Sequence, residues 1–213
     1  MFKFSWEGKL KDINLTPVES QELSNKIRIR KFLTKRWKIK GGMCMTIEKL
    51  LEKYRKASNP EEKERLKKEI LNHPDYYDFI EKKICLATKD ERERTALRAI
   101  FWQESRWNIF AVGDNGNSFG MGQIYKPVHE NWVDFKRLTL PDVGYQVQVT
   151  LQLIRDLYKQ LSQKIHDPYE VWFWVFYRYN GSGQHALWYA RRILGIMIEK
   201  PWGRYLKKKE GDK

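Results

Sequence analysis

Ala96, Leu97, Ile100, Phe101, Glu104 and Trp107 recur at intervals of three and four residues, so a helix through them turns a carboxylate to the same side as its apolar side chains. A carboxyl group walled by Phe101, Trp102 and Trp107 loses hydration of its charged form. Its pKa then rises toward the range in which it donates a proton near neutrality, the profile of a general acid. Glu is rarely buried, so the competing assignment for this residue taken alone is a solvent-facing ion pair.

The next segment, Ala111 to Ile124, is dense in Gly, Asn and Asp and is incompatible with a regular helix. It reads as a shaped loop beside the helix end. Glycine lets the backbone approach a ligand, and Asn115, Asn117, Ser118 and Gln123 carry the amide and hydroxyl groups that bind sugar hydroxyls. The same composition also suits a plain solvent-exposed connection.

Farther on, Tyr177-Arg178-Tyr179-Asn180-Gly181-Ser182-Gly183 ends an aromatic-rich helix in a polar, glycine-rich turn. A phenol hydroxyl in reach of a buried carboxyl satisfies both groups, which makes Tyr179 the expected partner of Glu104 and leaves Asn180 to brace the turn or reach a ligand.

The rest of the chain predicts an all-α fold. Val143, Val147, Thr150, Leu151, Ile154, Leu157, Tyr158 and Leu161 define an amphipathic helix that starts at Pro141-Asp142. Asp167-Pro168-Tyr169-Glu170 supplies a cap, a first-turn proline and an acidic third position, ahead of the apolar stretch Val171 to Phe176. A last helix begins at Ser182 or Gly183, with Tyr189 expected to pack in the core. Upstream, Thr46 to Ala57, Pro60 to Leu71 and Tyr76 to Leu86 form helical patterns, the last two separated by His73-Pro74-Asp75. The organisation expected is a basic N-terminal arm (1–45), a helical lead-in (46–90), a catalytic region (91–205) and a basic tail (206–213).

The arm packs Lys26, Arg28, Arg30, Lys31, Lys35, Arg36, Lys38 and Lys40 among apolar residues, and the formal charge of the whole chain is +14. That bias predicts attraction to polyanions, which include both nucleic acid and anionic wall polymers. Two cysteines, Cys44 and Cys85, are too few for a disulfide framework and read as free thiols. His73, His129, His166 and His185 lack metal-ligand spacing, so no metal and no cofactor are expected. No signal peptide and no membrane-spanning stretch are recognisable. Trp102, Trp107, Trp132 and Trp188 are each either core residues or stacking platforms.

In this order and at these separations, the three segments resemble the lysozyme-like family of soluble lytic transglycosylases, with goose-type lysozymes and bacteriophage cell-wall hydrolases among its relatives. Glu104-Ser105 is similar to the family's Glu-Ser motif, Gly120-Met121-Gly122-Gln123-Ile124 to its Gly-Leu-Met-Gln block, and Tyr179-Asn180 with Gly181-Ser182-Gly183 to its Ala-Tyr-Asn-x-Gly-x-Gly block. The likeness spans about residues 91 to 195. It implies a lysozyme-like catalytic domain with an N-terminal helical extension. It also implies cleavage of the bond between N-acetylmuramic acid and N-acetylglucosamine by Glu104 acting alone as acid and then base, with a 1,6-anhydro product. Substrate-binding positions implied are Ser105, Asp114, Ser118, Gly120, Met121, Gln123, Tyr179 and Asn180.

Departures from the family pattern keep other readings open. Gly113-Asp114-Asn115-Gly116-Asn117-Ser118-Phe119-Gly120 is similar to the Gly-Asp-x-Gly-Asn-x-Phe-Gly run of goose-type lysozymes, in which Asp114 would be a second carboxylate for an inverting muramidase. Tyr125 stands where those enzymes carry another Asp, Gly122 replaces a Met and Arg178 replaces an Ala. A third alternative is a wall-binding protein without catalysis. The partners implied are peptidoglycan glycan strands and anionic wall polymers, with no nucleic acid, for a monomer made in the cytoplasm and acting at the cell wall after phage lysis or from a virion.

Overall fold

The computed structural model describes residues 45–206. Residues 1–44, which form nearly all of the basic arm, and the tail beyond 206 lie outside the described residues. Among the described residues 71% are helical and 4% lie in strands, which makes the class all-α. No helix among them is long and apolar enough to cross a membrane. Two compact units divide between Phe79 and Ile80, inside a helix and upstream of the turn near residue 90 where the sequence places the start of the catalytic region.

In the first unit, α1 (Ile47–Lys56) and α2 (Pro60–Leu71) pack on each other. Thr46 and Asn59 cap them, accepting from the backbone N–H of Lys49 and Glu61, and satisfy donors that the first helical turn leaves free. The side chains of Ile47, Leu50, Leu51, Leu66 and Ile70 are buried. His73, also buried, donates from Nε2 to the Met45 carbonyl at 3.0 Å and accepts at Nδ1 from the Asp75 N–H at 3.1 Å. Helix α3 (Tyr76–Ala87) carries the chain from this unit into the next.

The second unit is built around α4 (Glu91–Ser105), capped by Asp90. Its neighbours are α7 (Val143–Ser162) and α9 (Gly183–Glu199), while α8 (Pro168–Asn180) packs against α7 and α9. Ala96, Leu97, Ile100 and Phe101 of α4 are buried, as are Val147 and Ile154 of α7, Val175 and Phe176 of α8, and Ala190 and Ile193 of α9, so the unit has a core from which water is excluded. Arg98, on the flank of α4, bonds Glu81 at 2.5 Å and Glu91 at 2.7 Å. Asp142 and Asp167 cap α7 and α8, and Pro168 occupies the first turn of α8, as the sequence predicts.

Between α4 and α7 lies a three-stranded antiparallel sheet of two-residue strands, β1 (Val112–Gly113), β2 (Ser118–Phe119) and β3 (Ile124–Tyr125). The short helices α5 (Lys126–His129) and α6 (Phe135–Thr139) follow. Ile124, Val133, Leu138 and Val149 form a small core beneath the sheet, which explains why a glycine-rich stretch holds one shape.

Candidate active site

Glu104 occupies the last turn of α4, and the helix stops just beyond it because Arg106 and Trp107 are both left-handed, with φ of 55° and 62°. Non-glycine residues reach that region only when neighbours hold them, at a cost of order 1 kcal/mol or more. Trp107 supplies the hold: it is fully buried, its indole N–H donates to the Arg98 carbonyl at 3.0 Å, and its ring stacks on Trp202. Ser105 ties the helix end to the loop by donating to the Met121 carbonyl at 3.0 Å while accepting from the Asn108 N–H.

The Glu104 carboxyl meets a phenol from α9. Tyr189 donates its hydroxyl to Oε1 at 2.5 Å. Burial pushes the carboxyl up to about 7, the Tyr189 bond opposes that rise by favouring the charged form, and the negative charge of Asp114 adds to it. Glu104 as a residue keeps intermediate exposure. Burial, and after it the field of Glu104, raises the Tyr179 and Tyr189 hydroxyls well above their usual range, which keeps both as proton-bearing donors. The two phenol rings stack, 6.3 Å apart and 7° from parallel.

The loop facing the carboxyl is fixed from below by Gln146 of α7. Its amide accepts from the Met121 N–H at 2.9 Å and donates to the carbonyls of Ile109 at 2.9 Å and Leu138 at 3.1 Å, so one buried side chain ties three separate stretches of backbone. Gly120 lies directly over it with φ +75°; a Cβ there would come within 2.9 Å of the Gln146 side chain. Gly122 is equally constrained, because its Cβ would meet Thr150 Oγ1 at 2.5 Å and the Tyr179 hydroxyl at 2.9 Å. The glycine that replaces a Met of the resembled family therefore admits two hydroxyl groups to the backbone.

The structure gives several of the sequence-derived positions different work from that expected. Tyr179 does not bond Glu104; its hydroxyl donates to the Gly122 carbonyl at 2.6 Å, and Tyr189 takes the place expected of it. Ser118 is buried and donates to Asp114 Oδ2, so its hydroxyl braces the loop. Asp114 is exposed and left-handed, with φ 48°. Gln123, at the same φ, donates from Nε2 to the Gly120 carbonyl at 2.9 Å. Met121 is fully buried in the floor. Asn180 stands at the end of α8, exposed, and accepts at Oδ1 from His185 Nδ1 at 3.1 Å.

Tyr189 and Gln146 are the residues that sequence reasoning missed as parts of the site. Gln146 had a signal: it sits three residues after Val143 and four before Thr150, on the apolar stripe of α7, where a polar residue needs a partner. Tyr189 had one as well, since Tyr189-Ala190 is similar to a Tyr-Ala or Tyr-Val pair of the resembled family, but its place on the inner face of α9 equally suits a core phenol, the role expected of it.

A cavity of about 170 Å³ bounded by Glu93, Arg155, Tyr158 and Trp172 holds none of these positions. Among the described residues no group of three or more His, Cys, Asp or Glu is placed to hold a metal ion. Comparison of the chain with protein-family models, with curated proteins and with solved structures finds no match.

Proposed function

We propose that this protein is a peptidoglycan lytic transglycosylase with a lysozyme-like catalytic domain, in which Glu104 is the single acid and base. The observation that carries the reading is the carboxyl of Glu104, held by Tyr189 and raised to about 7, so that a large share of it is protonated at neutral pH. The loop from Gly113 to Gln123, tied to the end of α4 through Ser105 and Met121, supports the reading by offering backbone and amide groups of the kind that bind sugar hydroxyls.

In this scheme Glu104 gives its proton to the bridging oxygen, and the C1–O bond of the N-acetylmuramic acid residue breaks. The substrate's own acetamido oxygen shields the cationic C1. The Glu104 carboxylate then takes the proton of the C6 hydroxyl as that oxygen bonds to C1, closing the anhydro ring and restoring the acid. No water is consumed, which removes the need for a second protein carboxylate. A chain of +14 charge would concentrate on anionic wall polymers, consistent with action at the cell wall.

One observation favours the second reading, an inverting muramidase: the charge of Asp114 is near enough to raise Glu104. Such an enzyme needs its carboxyl groups about 6.5–9.5 Å apart with water between. Mass spectrometry of digested glycan separates the two. Anhydro ends that vanish with Glu104→Gln support the transglycosylase; reducing ends would overturn it in favour of the hydrolase. Wall binding without cleavage would leave only the non-catalytic reading.

A further inference from the structure

At the opposite end of α4 from Glu104, the cavity of about 170 Å³ bounded by Glu93, Arg155, Tyr158 and Trp172 also takes in Asp90, Arg92 and Lys159. Eleven residues separate Glu93 from Glu104, about 16 Å along a helix axis, so the cavity lies apart from the catalytic carboxyl. Its volume is of the size that admits a single six-membered ring. One wall is a fixed ion pair: Arg155 holds Glu93 with Nε on Oε1 at 2.7 Å and Nη2 on Oε2 at 2.8 Å, and the buried Thr88 hydroxyl donates to the same carboxylate. The other wall is aromatic, with the Trp172 ring 5.1 Å from that of Tyr158 at 49° and stacked on Phe176 at 5.6 Å.

The hydrogen-bonding groups around this cavity are unequally spent. Glu93 is taken up by Arg155 and Thr88, and Asp90 Oδ1 caps α4 by accepting from the N–H groups of Arg92 and Glu93. What is left over among the described residues is weighted toward donors: the guanidinium of Arg92, Nη1 of Arg155, the Lys159 ammonium and the Trp172 indole N–H. Against them stand Asp90 Oδ2 and the Tyr158 hydroxyl, which both gives and accepts. Trp172 is the telling member, because it is only 8% exposed and a buried indole N–H ordinarily has an acceptor. This one has none in the described protein and is not sealed from water, and the cavity is the space that its side chain borders. Three cations against two carboxylates also leave the lining with one positive charge in surplus.

We propose that this cavity is a binding site for a small monoanion, a carboxylate or phosphodiester group carried on a flat apolar body. The oxyanion takes the Trp172 N–H and the unspent N–H groups of Arg92, Arg155 and Lys159, and the body lies against the Tyr158 and Trp172 rings. A single negative charge cancels the surplus of the lining. The site stands independently of the reaction at Glu104, since neither Glu104 nor Asp114 lines it.

The test is NMR of the full chain with isotope-labelled indole nitrogens, titrated with benzoate, with diethyl phosphate, and with benzamide as a neutral match to benzoate in shape. An anion should shift the Trp172 N–H resonance, identified by its loss in Trp172→Phe, and saturate with a Kd on the order of 1 mM. Whichever of benzoate and diethyl phosphate binds more tightly names the acid group. Benzamide should bind at least about tenfold more weakly. Arg92→Gln combined with Lys159→Gln changes two exposed residues and should weaken the anion about tenfold, whereas Glu104→Gln should leave its Kd as it is in the parent. The absence of a saturable shift, equal binding of benzamide, or an unchanged Kd in the double variant overturns the site. So does a Kd that moves with Glu104→Gln, since the anion would then sit at the catalytic end of α4. Each of these results leaves the products of glycan digestion to be judged separately.

Discussion

The Tyr189 hydroxyl lies 2.5 Å from Glu104 Oε1, although 85 residues separate the two in the chain. The bond favours the charged carboxylate, while the burial that surrounds it favours the neutral acid, and burial dominates. The balance of those two effects and the charge of Asp114 sets the pH at which the proton leaves.

A general acid must hold its proton in the free enzyme, so kcat/KM should be flat in mild acid and fall as pH rises through about 7. Asp114 raises Glu104, so Asp114→Asn should move that alkaline limb to lower pH. A limb unmoved by Asp114→Asn would show that the two charges do not interact. In a transglycosylase the rate at the pH optimum should survive the change within about tenfold, whereas loss of a hydrolase's base would cost on the order of 100-fold or more.

Tyr189→Phe removes a bond to the charged form and should therefore shift the limb the opposite way, to higher pH. Freed from its anchor, the carboxyl also loses its fixed direction, and kcat should drop about 10- to 100-fold with KM little changed. Tyr179→Phe, which cuts the bond to the Gly122 carbonyl, should affect the loop without that upward shift. A pH profile identical to the parent's in Tyr189→Phe would remove Tyr189 from the site.

Glu104 also couples pH to stability. Its folded pKa of about 7 stands above the ordinary 4.5, so between those values the native state keeps a proton that the unfolded chain has released. Native binding of more protons makes unfolding free energy fall as pH rises across that window. Glu104→Gln abolishes the loss, so from below pH 4.5 to above pH 7 the stability of the variant relative to the parent should rise by at most about 3 to 4 kcal/mol, at about 1.4 kcal/mol per pKa unit and less to the extent that the side chain is solvated. Denaturant titrations at pH 4.5 and 8 check it; equal gaps at the two values would contradict a raised carboxyl.

Gln146→Leu keeps apolar bulk but removes the bonds to Met121, Ile109 and Leu138. About 2 to 4 kcal/mol should be lost, because buried backbone groups would surrender their partner. Hydrogen exchange should quicken from residue 118 to 123 before it quickens in the centre of α4. If exchange rises evenly through the second unit, Gln146 is an ordinary core residue with no special hold on the loop.

The helices were legible because their rules are local. Asp142 and Asp167 cap the elements they announce, Pro168 sits in a first turn, and the three- and four-residue spacing through Phe101 and Trp107 turns Glu104 inward. Each of those effects is decided within one or two helical turns. Which of two tyrosines reaches the carboxyl was not local: Tyr179 and Tyr189 stack in parallel, and the rotation and depth of α8 and α9 against α4 give the Gly122 carbonyl to one and Glu104 to the other. Likewise the sequence showed that residues 111–124 could not be helical, but only packing over Gln146 and Thr150 made Gly120 and Gly122 indispensable to the loop's form. The chain by itself specified where its helices begin and which way the acid faces, because backbone hydrogen bonding and hydrophobic periodicity act between near neighbours. The acid's partners were decided by tertiary structure alone, since a hydrogen bond depends on fractions of an ångström between segments that only the packed core brings together.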